Sequence, residues 1–307
     1  MSLLYLYLIF LAFFHGSCNS VRMRISRRKM KKFIAPFVVL AALLWFGVWT
    51  STPSGFLEIH FLDVGQGDAI YVRAPNGFDM LVDSGPSPSI LRRLGEAMPW
   101  YDRSIDVLIE THPDQDHIGG FPDVIERYNV GLFVMPGVQS ANSTDDEIER
   151  LLEEKGIPVS LARRGMVIDL GGGVRFDVLF PDVDPSKLKT NDASIVGRLV
   201  YGDTAVMLTG DSPKWVETKL VGLDGPQGLA SQVLKAGHHG SKTSSGDAFV
   251  VAVNPDFAVV SAGKDNRYGH PNEEVLVTFR KYDVPVLRTY EEGTIVFFSD
   301  GRRLWRK

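Results

Sequence analysis

Residues 111–120 read THPDQDHIGG, which puts four side chains able to ligate a metal (His112, Asp114, Asp116 and His117) within six positions, followed by two glycines. The apolar, strand-like run 105–109 leads straight into them. Imidazoles and carboxylates crowded at a strand end repel one another and resist losing water unless a cation offsets their charge. A solvated acidic loop with incidental histidines is the competing reading. The metal reading gains weight because the stretch does not stand alone.

Three later islands offer matching chemistry: LTGDSP with Asp211, LKAGHHGSK with His238 and His239, and NRYGHP with His270. Each follows an apolar run or sits in a glycine-rich loop. Upstream, MLVDSG places Asp83 at a strand end, where a carboxylate can orient a ligand histidine from behind. The HxDxDH spacing suits a loop running into a helix, with His112 and Asp114 facing one ion and Asp116 and His117 another. Aspartate in place of imidazole at position 114 makes that site richer in oxygen, so manganese rivals zinc. A helix cap is the plainer role for Asp114.

These motifs, in this order, resemble the metallo-β-lactamase superfamily, and within it the hydrolase domain of the ComEC competence proteins. FLDVGQGDAIYV at 61–72 resembles the family's opening strand and loop, and LVDSG its strand-end aspartate. The resemblance covers roughly residues 56–305. It implies an α/β (α+β) four-layer αββα sandwich, with His112, Asp114, Asp116, His117, Asp211 and His238 as ligands of two divalent ions, zinc or manganese. His239 is the alternative to His238. Asp211 corresponds to the carboxylate shared by both ions, and a hydroxide held between them would be the nucleophile. Where the superfamily has a further histidine in the first site this chain has NDAS, so Asn191, Asp192 or Ser194 completes that site or leaves it open.

Around this set, Asp116 and His270 are the candidate catalytic groups, with His270 donating to a developing negative charge or protonating a leaving oxygen. His239, Ser241, Lys242 and Tyr268 are candidate substrate contacts. The turn GSKTSS enters a helix whose free N–H groups, with Lys242, would seat phosphate oxygens; simple capping competes with that reading. Asp63 and Asp68 flank the DVGQGD turn and either reach the metal edge or serve the turn. His60 and His15 are assigned no part in the site.

The chain has 307 residues, enough for one large domain plus an appendage, with 44% hydrophobic and 23% charged residues. Seven basic and no acidic residues occupy 22–32, ahead of an apolar run at 33–49. This pattern predicts a leader and membrane anchor over 1–50, with 1–22 possibly untranslated and Met23 or Met30 as the start, and a hydrolase domain over 51–307. The basic flank places the domain outside the membrane, or secreted if the leader is cleaved. Without those seven cations, 26 basic and 37 acidic side chains remain, a formal −11. That balance argues against a protein gripping long nucleic acid through many phosphates, though not against a local basic groove. The single cysteine, Cys18, precedes the domain, so disulfides and thiolate ligands are excluded there.

Strands are predicted at 56–62, 69–73, 78–82, 105–110, 132–135, 174–180, 194–201, 204–209, 231–236, 257–261, 286–289 and 294–298. Helices are predicted at 89–97, 119–128, 144–155, 213–220, 244–252 and 272–282, with Thr144 and Glu147 as a capping box and Gly156 as a stop. The leading functional expectation is phosphodiester hydrolysis, on nucleic acid (DNA) or a smaller phosphoester. Opening of a lactone, thioester or β-lactam ring is the alternative, and a non-catalytic metal-binding module is a third.

Overall fold

The computed structural model describes residues 35–45, 47, 55–138 and 140–307. Residues 53–307 make up one compact unit. Its first sheet runs β15 (Leu304–Arg306), β14 (Ile295–Ser299), β1 (Leu57–Phe61), β2 (Ile70–Arg73), β3 (Asp79–Val82), β4 (Ser104–Ile109), β5 (Asn129–Met135), β6 (Val159–Leu161). The second runs β13 (Val286–Arg288), β12 (Phe257–Val260), β11 (Val233–Lys235), β10 (Thr204–Leu208), β9 (Val196–Tyr201), β8 (Val174–Phe180), β7 (Val167–Gly171).

Strand alternation dictates the layering. On β3, Met80 and Val82 join the apolar layer between the sheets, together with Ile59, Phe61, Ile109, Leu199, Val206 and Val259. Leu81, which points the other way, packs outward with Ile90, Leu94, Phe121, Val124, Ile148 and Leu151. The outer face of the second sheet does the same through Met207, Leu234 and Ala258 against Val216, Leu220, Phe249 and Phe279. Three apolar layers separate four layers of structure, so the αββα expectation holds. Each large aliphatic or aromatic side chain fully buried in them contributes about 1.5–3 kcal/mol.

The helices on the first sheet are α1 (Ile90–Ala97), α2 (Gln115–Ile118), α3 (Phe121–Arg127) and α4 (Ser143–Lys155). Those after β10 are α5 (Lys214–Leu229), α6 (Asp247–Val253), α7 (Glu273–Lys281) and α8 (Thr289–Glu292). The helix predicted at 119–128 is α3, shorter by a residue or two at each end and opening with proline in its first turn, and Gly119 and Gly120 separate it from α2, which lies ahead of the predicted span. α5 runs past its predicted end and kinks at Gly225, just before Pro226. α4 stops at Gly156, whose φ of 64° is the left-handed conformation glycine allows. Its cap differs from expectation: the Asn142 side chain accepts the Thr144 N–H, and Glu147 instead pairs with Arg150. Sequence reading missed β6, β7 and β15, which are outermost strands. Val159 and Leu161 lie exposed on β6 and β15 buries none of its residues, whereas β7 does alternate, with Ile168 and Leu170 in the core and Val167 and Asp169 exposed.

The membrane anchor is corrected. Among the described residues no helix is long and apolar enough to cross a membrane. The basic run 22–32, His15 and Cys18 lie outside the described residues.

β3, β4 and β5 are parallel neighbours, as are β10, β11, β12 and β13. Their carboxyl ends therefore deliver loops to a common edge of the sandwich, and every candidate ligand follows one of those ends.

Candidate metal centre

The edge is built around Asp211, fully buried two residues beyond the Thr209 that follows β10. Its backbone N–H donates to the Ser194 hydroxyl at 3.2 Å, which fixes the carboxylate's starting point. Oδ1 lies 3.4 Å from His117 Nε2, while Oδ2 lies 3.5 Å from His239 Nε2, 3.6 Å from His238 Nε2 and 4.0 Å from His112 Nε2. Four imidazoles thus turn a ring nitrogen toward one carboxylate.

The other face of each ring is occupied. His117 Nδ1 is 2.8 Å from Asp83 Oδ2, and Asp83 also accepts the Thr111 N–H and hydroxyl. Asp83 thereby does what its strand-end position suggested, with φ at 57°. His239 Nδ1 meets the Ser261 carbonyl at 2.9 Å; a carbonyl only accepts, so the proton sits on Nδ1 and the Nε2 lone pair faces inward. His117 Nε2, whose Nδ1 donates to a carboxylate, is in the same state only 3.3 Å from His239 Nε2. Two inward Nε2 atoms this close, ringed by carboxylates, call for positive charge between or beside them, as protons on the rings or as a bound cation.

Unpartnered buried atoms say the same. His112 Nε2, Asp211 Oδ1 and Asp68 Oδ1 have no hydrogen-bond partner despite complete burial. Burial would push the Asp211 carboxyl up, yet His239, His117 and Lys235 hold it well below the usual carboxylate range. Burial likewise opposes charge on His117 and His239, but Asp211 with Asp83 lifts His117 well above its ordinary value, and Asp211 with Asp68 lifts His239 to about 9. These residues fit divalent metal: nitrogen and carboxylate donors, converged, desolvated and in need of positive charge.

Asp114 stands at the N-cap position of α2, yet its side chain caps nothing and lies 3.6 Å from His112 Nε2. Capping is therefore not its role. Asp116 Oδ2 reaches 3.2 Å from His239 Nε2, and its carboxyl is held low by His239 and His117 in spite of burial. Asp211 Oδ2 thus faces His112, His238 and His239 and Oδ1 faces His117, with Asp114 beside His112 and Asp116 beside His239. His238 and His239 both contribute, on left-handed backbone at φ 50° and 54°. Of the NDAS candidates, Asn191 Nδ2 reaches 3.5 Å from His238 Nε2, Ser194 holds the Asp211 N–H, and Asp192 turns away to accept the Trp215 indole N–H.

The DVGQGD turn splits the same way. Asp68 is buried in the cluster, 3.5 Å from His239 Nδ1, whereas Asp63 pairs with Arg93 at 2.7 Å and serves the turn. Gly67, at φ 131°, lets that turn lie against α2: a Cβ there would sit 2.1 Å from the Asp116 carbonyl oxygen. His60 pairs with Glu58 in β1, away from the cluster.

A cavity of about 160 Å³ opens above the cluster, lined by Gln66, Asp114, Asp116, Asp211, His238, His239, Tyr268 and His270. A wider one of about 460 Å³ shares Gln66, Asp116 and Tyr268 with it and adds Arg267, Asn266, Gln115 and Pro86. His270 and Tyr268 stack at 5.7 Å, with the Arg267 guanidinium 4.9 Å from the Tyr268 ring. Burial, then His238 and His239, pushes His270 down to about 4. It is neutral at neutral pH, suited to hydrogen-bond donation rather than to delivering a stored proton.

The turn expected to seat phosphate is filled from within. Glu217, on α5, accepts the N–H groups of Ser245 (2.6 Å) and Gly246 (2.8 Å). Lys242 is exposed and lines neither cavity, and the Ser241 hydroxyl accepts from Thr243. Sequence reading also overlooked Thr111, Gln66 and Lys235. Lys235 carried a signal: a lysine inside the apolar run VLKA of a strand flanked on both sides has no path to water.

A sandwich of this layering with histidines and aspartates converging on one edge is the metallo-β-lactamase type of fold, with side chains that could hold metal at that edge. Residues 62–264 match the Metallo-beta-lactamase superfamily, and the chain belongs to it. It is related to the ComEC-like competence proteins. It is 31% identical over 267 residues to ComE operon protein 3 of Bacillus subtilis, covering 80% of this chain and 33% of that protein. It is 33% identical over 250 residues to competence protein ComA of Neisseria gonorrhoeae, with the same coverages. The chain thus spans about a third of the length of these curated relatives. Among solved structures, Igni18, a metallo hydrolase from Ignicoccus hospitalis, superposes with TM-score 0.53 at 15% identity, over 79% of this chain and 98% of that one. The Bacillus subtilis protein YhfI gives 0.52 at 11%, over 80% and 100%. These two likenesses concern the fold alone.

Proposed function

We propose that this chain hydrolyses phosphodiester bonds with two divalent ions, one held by His112, Asp114, Asp211 and His238 and the other by Asp116, His117, Asp211 and His239. The observation that carries the reading is the convergence of four imidazole nitrogens within 3.4–4.0 Å of the Asp211 carboxylate. Bound there, such ions supply Lewis acidity to an ester oxygen and make water nucleophilic at neutral pH.

The protein's own groups do the rest. Asp83 and the Ser261 carbonyl hold His117 and His239 in the tautomer that presents Nε2. Neutral His270, at the rim, donates a hydrogen bond to charge developing on the substrate. Arg267, beside the Asp116 wall of the wider cavity, adds positive charge where a neighbouring phosphate would lie. Asp114, Asp116 and Asp211, with no thiolate, make a hard donor set that favours manganese beside zinc and phosphoester over β-lactam chemistry.

Assaying the full-length chain with manganese or zinc against bis-p-nitrophenyl phosphate, single-stranded DNA and a chromogenic cephalosporin tests the reading. Turnover of either phosphodiester is the expected result; turnover of the cephalosporin alone would overturn it. No turnover of any of the three, with metal bound, would favour a non-catalytic module.

A further inference from the structure

Lys235 ends β11 and is completely buried, as are Val233, Leu234 and Ala236 around it. Its ammonium contacts Asp68 Oδ2, lies 3.5 Å from Asp211 Oδ1 and donates to the Gly210 carbonyl at 3.0 Å. No part of the chemistry described above uses this cation, although it stands inside the ligand cluster.

The cluster also contains an ambiguity that the lysine resolves. Asp68, His117, Asp211 and His239 each offer a ligand atom, all within 4.8 Å of one another, so distance alone makes Asp68 a rival of Asp116 as a metal ligand. An ammonium on Asp68 Oδ2 competes directly for that carboxylate.

We propose that Lys235 is a positioning residue that withholds Asp68 from the metal and steadies the Oδ1 side of Asp211, leaving Oδ2 toward His112, His238 and His239. The proposal rests on the two-ion reading above. Without the lysine, Asp68 becomes a free buried carboxylate among the ligands. Without Asp68, the ammonium turns fully on Asp211 and competes with metal for it.

Metal content of the dialysed full-length chain, with manganese titration calorimetry, tests this on Asp68→Asn, Lys235→Met and the double variant, which is charge-neutral and close in shape to the native pair. Wild type should hold two ions. Asp68→Asn should bind manganese about tenfold or more weakly, Lys235→Met should bind it more tightly, and the double variant should keep two ions at near wild-type affinity. Loss of an ion by the double variant, with wild type holding two, would make Asp68 a ligand and overturn the proposal while leaving the two-ion reading intact. Absence of ions from wild type itself would remove both. If Lys235→Met does not fold, the double variant and Asp68→Asn still decide the matter.

Discussion

His238 and His239 are adjacent in sequence yet bring their Nε2 atoms to the same Asp211 oxygen, at 3.6 and 3.5 Å, with ring planes 73° apart. Two successive left-handed residues turn one ring toward Asn191 and the other toward Asp116 and His117. The two histidines should therefore serve different ions. His239→Ala and His238→Ala should each leave one ion per chain, and only His239→Ala should abolish the mutual dependence of metal binding and the Asp116 carboxylate, measured as a double-variant cycle with Asp116→Asn. Retention of both ions by both variants would count against the assignment.

Asp83 touches no candidate ion position but holds His117 Nδ1 and both donors of Thr111. Asp83→Asn leaves the shape and removes the charge. Metal affinity should fall by roughly 10–100-fold, as for other carboxylates that orient a ligand histidine. Calorimetry showing unchanged affinity would mean that the histidine is held by packing alone.

Glu217 links α5 to the turn that follows His239, and burial pushes its carboxyl from 4.5 to about 7 against the two N–H groups it accepts. A raised carboxyl binds its proton more tightly in the folded chain. Its favourable contribution is present below the unfolded pKa and is lost as pH rises from about 4.5 to about 7, at about 1.4 kcal/mol per unit. Glu217→Gln should flatten the dependence of Tm on pH across that window. An unaltered slope would assign the pH dependence elsewhere.

Gly67→Ala forces a methyl group to within 2.1 Å of the Asp116 carbonyl oxygen, on a φ that L residues rarely adopt. The DVGQGD turn must then lift away from α2. A Tm several degrees lower, with weaker metal binding, is expected from differential scanning calorimetry and titration; a change in neither would show that the turn is free to move.

The ligand types were legible because they are local, donors clustered at the ends of apolar runs, and the four-layer fold followed from the resemblance those motifs carry, since a run such as Met80-Leu81-Val82 is buried on both faces and shows no alternation of its own. What the sequence concealed depends on distant partners. Glu217 fills the turn that reads as a phosphate seat, and it lies 28 residues before Ser245. Asp68 reads as either a metal-edge or a turn residue until Lys235, far along the chain, is brought against it. The apolar run 33–49 reads as an anchor by composition, whereas among the described residues no helix is long and apolar enough to cross a membrane. The edge strands β6 and β15 escaped because strands that bury little show little alternation, while β7 alternates over only a few residues, Ile168 and Leu170 facing the core.

Metal content of the full-length chain, purified, loaded with manganese or zinc and dialysed, bears most directly on the centre around Asp211, with Asp211→Ala measured alongside. Two ions per wild-type chain, and loss of at least one with more than a hundredfold fall in phosphodiester turnover in the variant, is the expected result. A wild type that retains no ion, or an Asp211→Ala chain that keeps both, would contradict it.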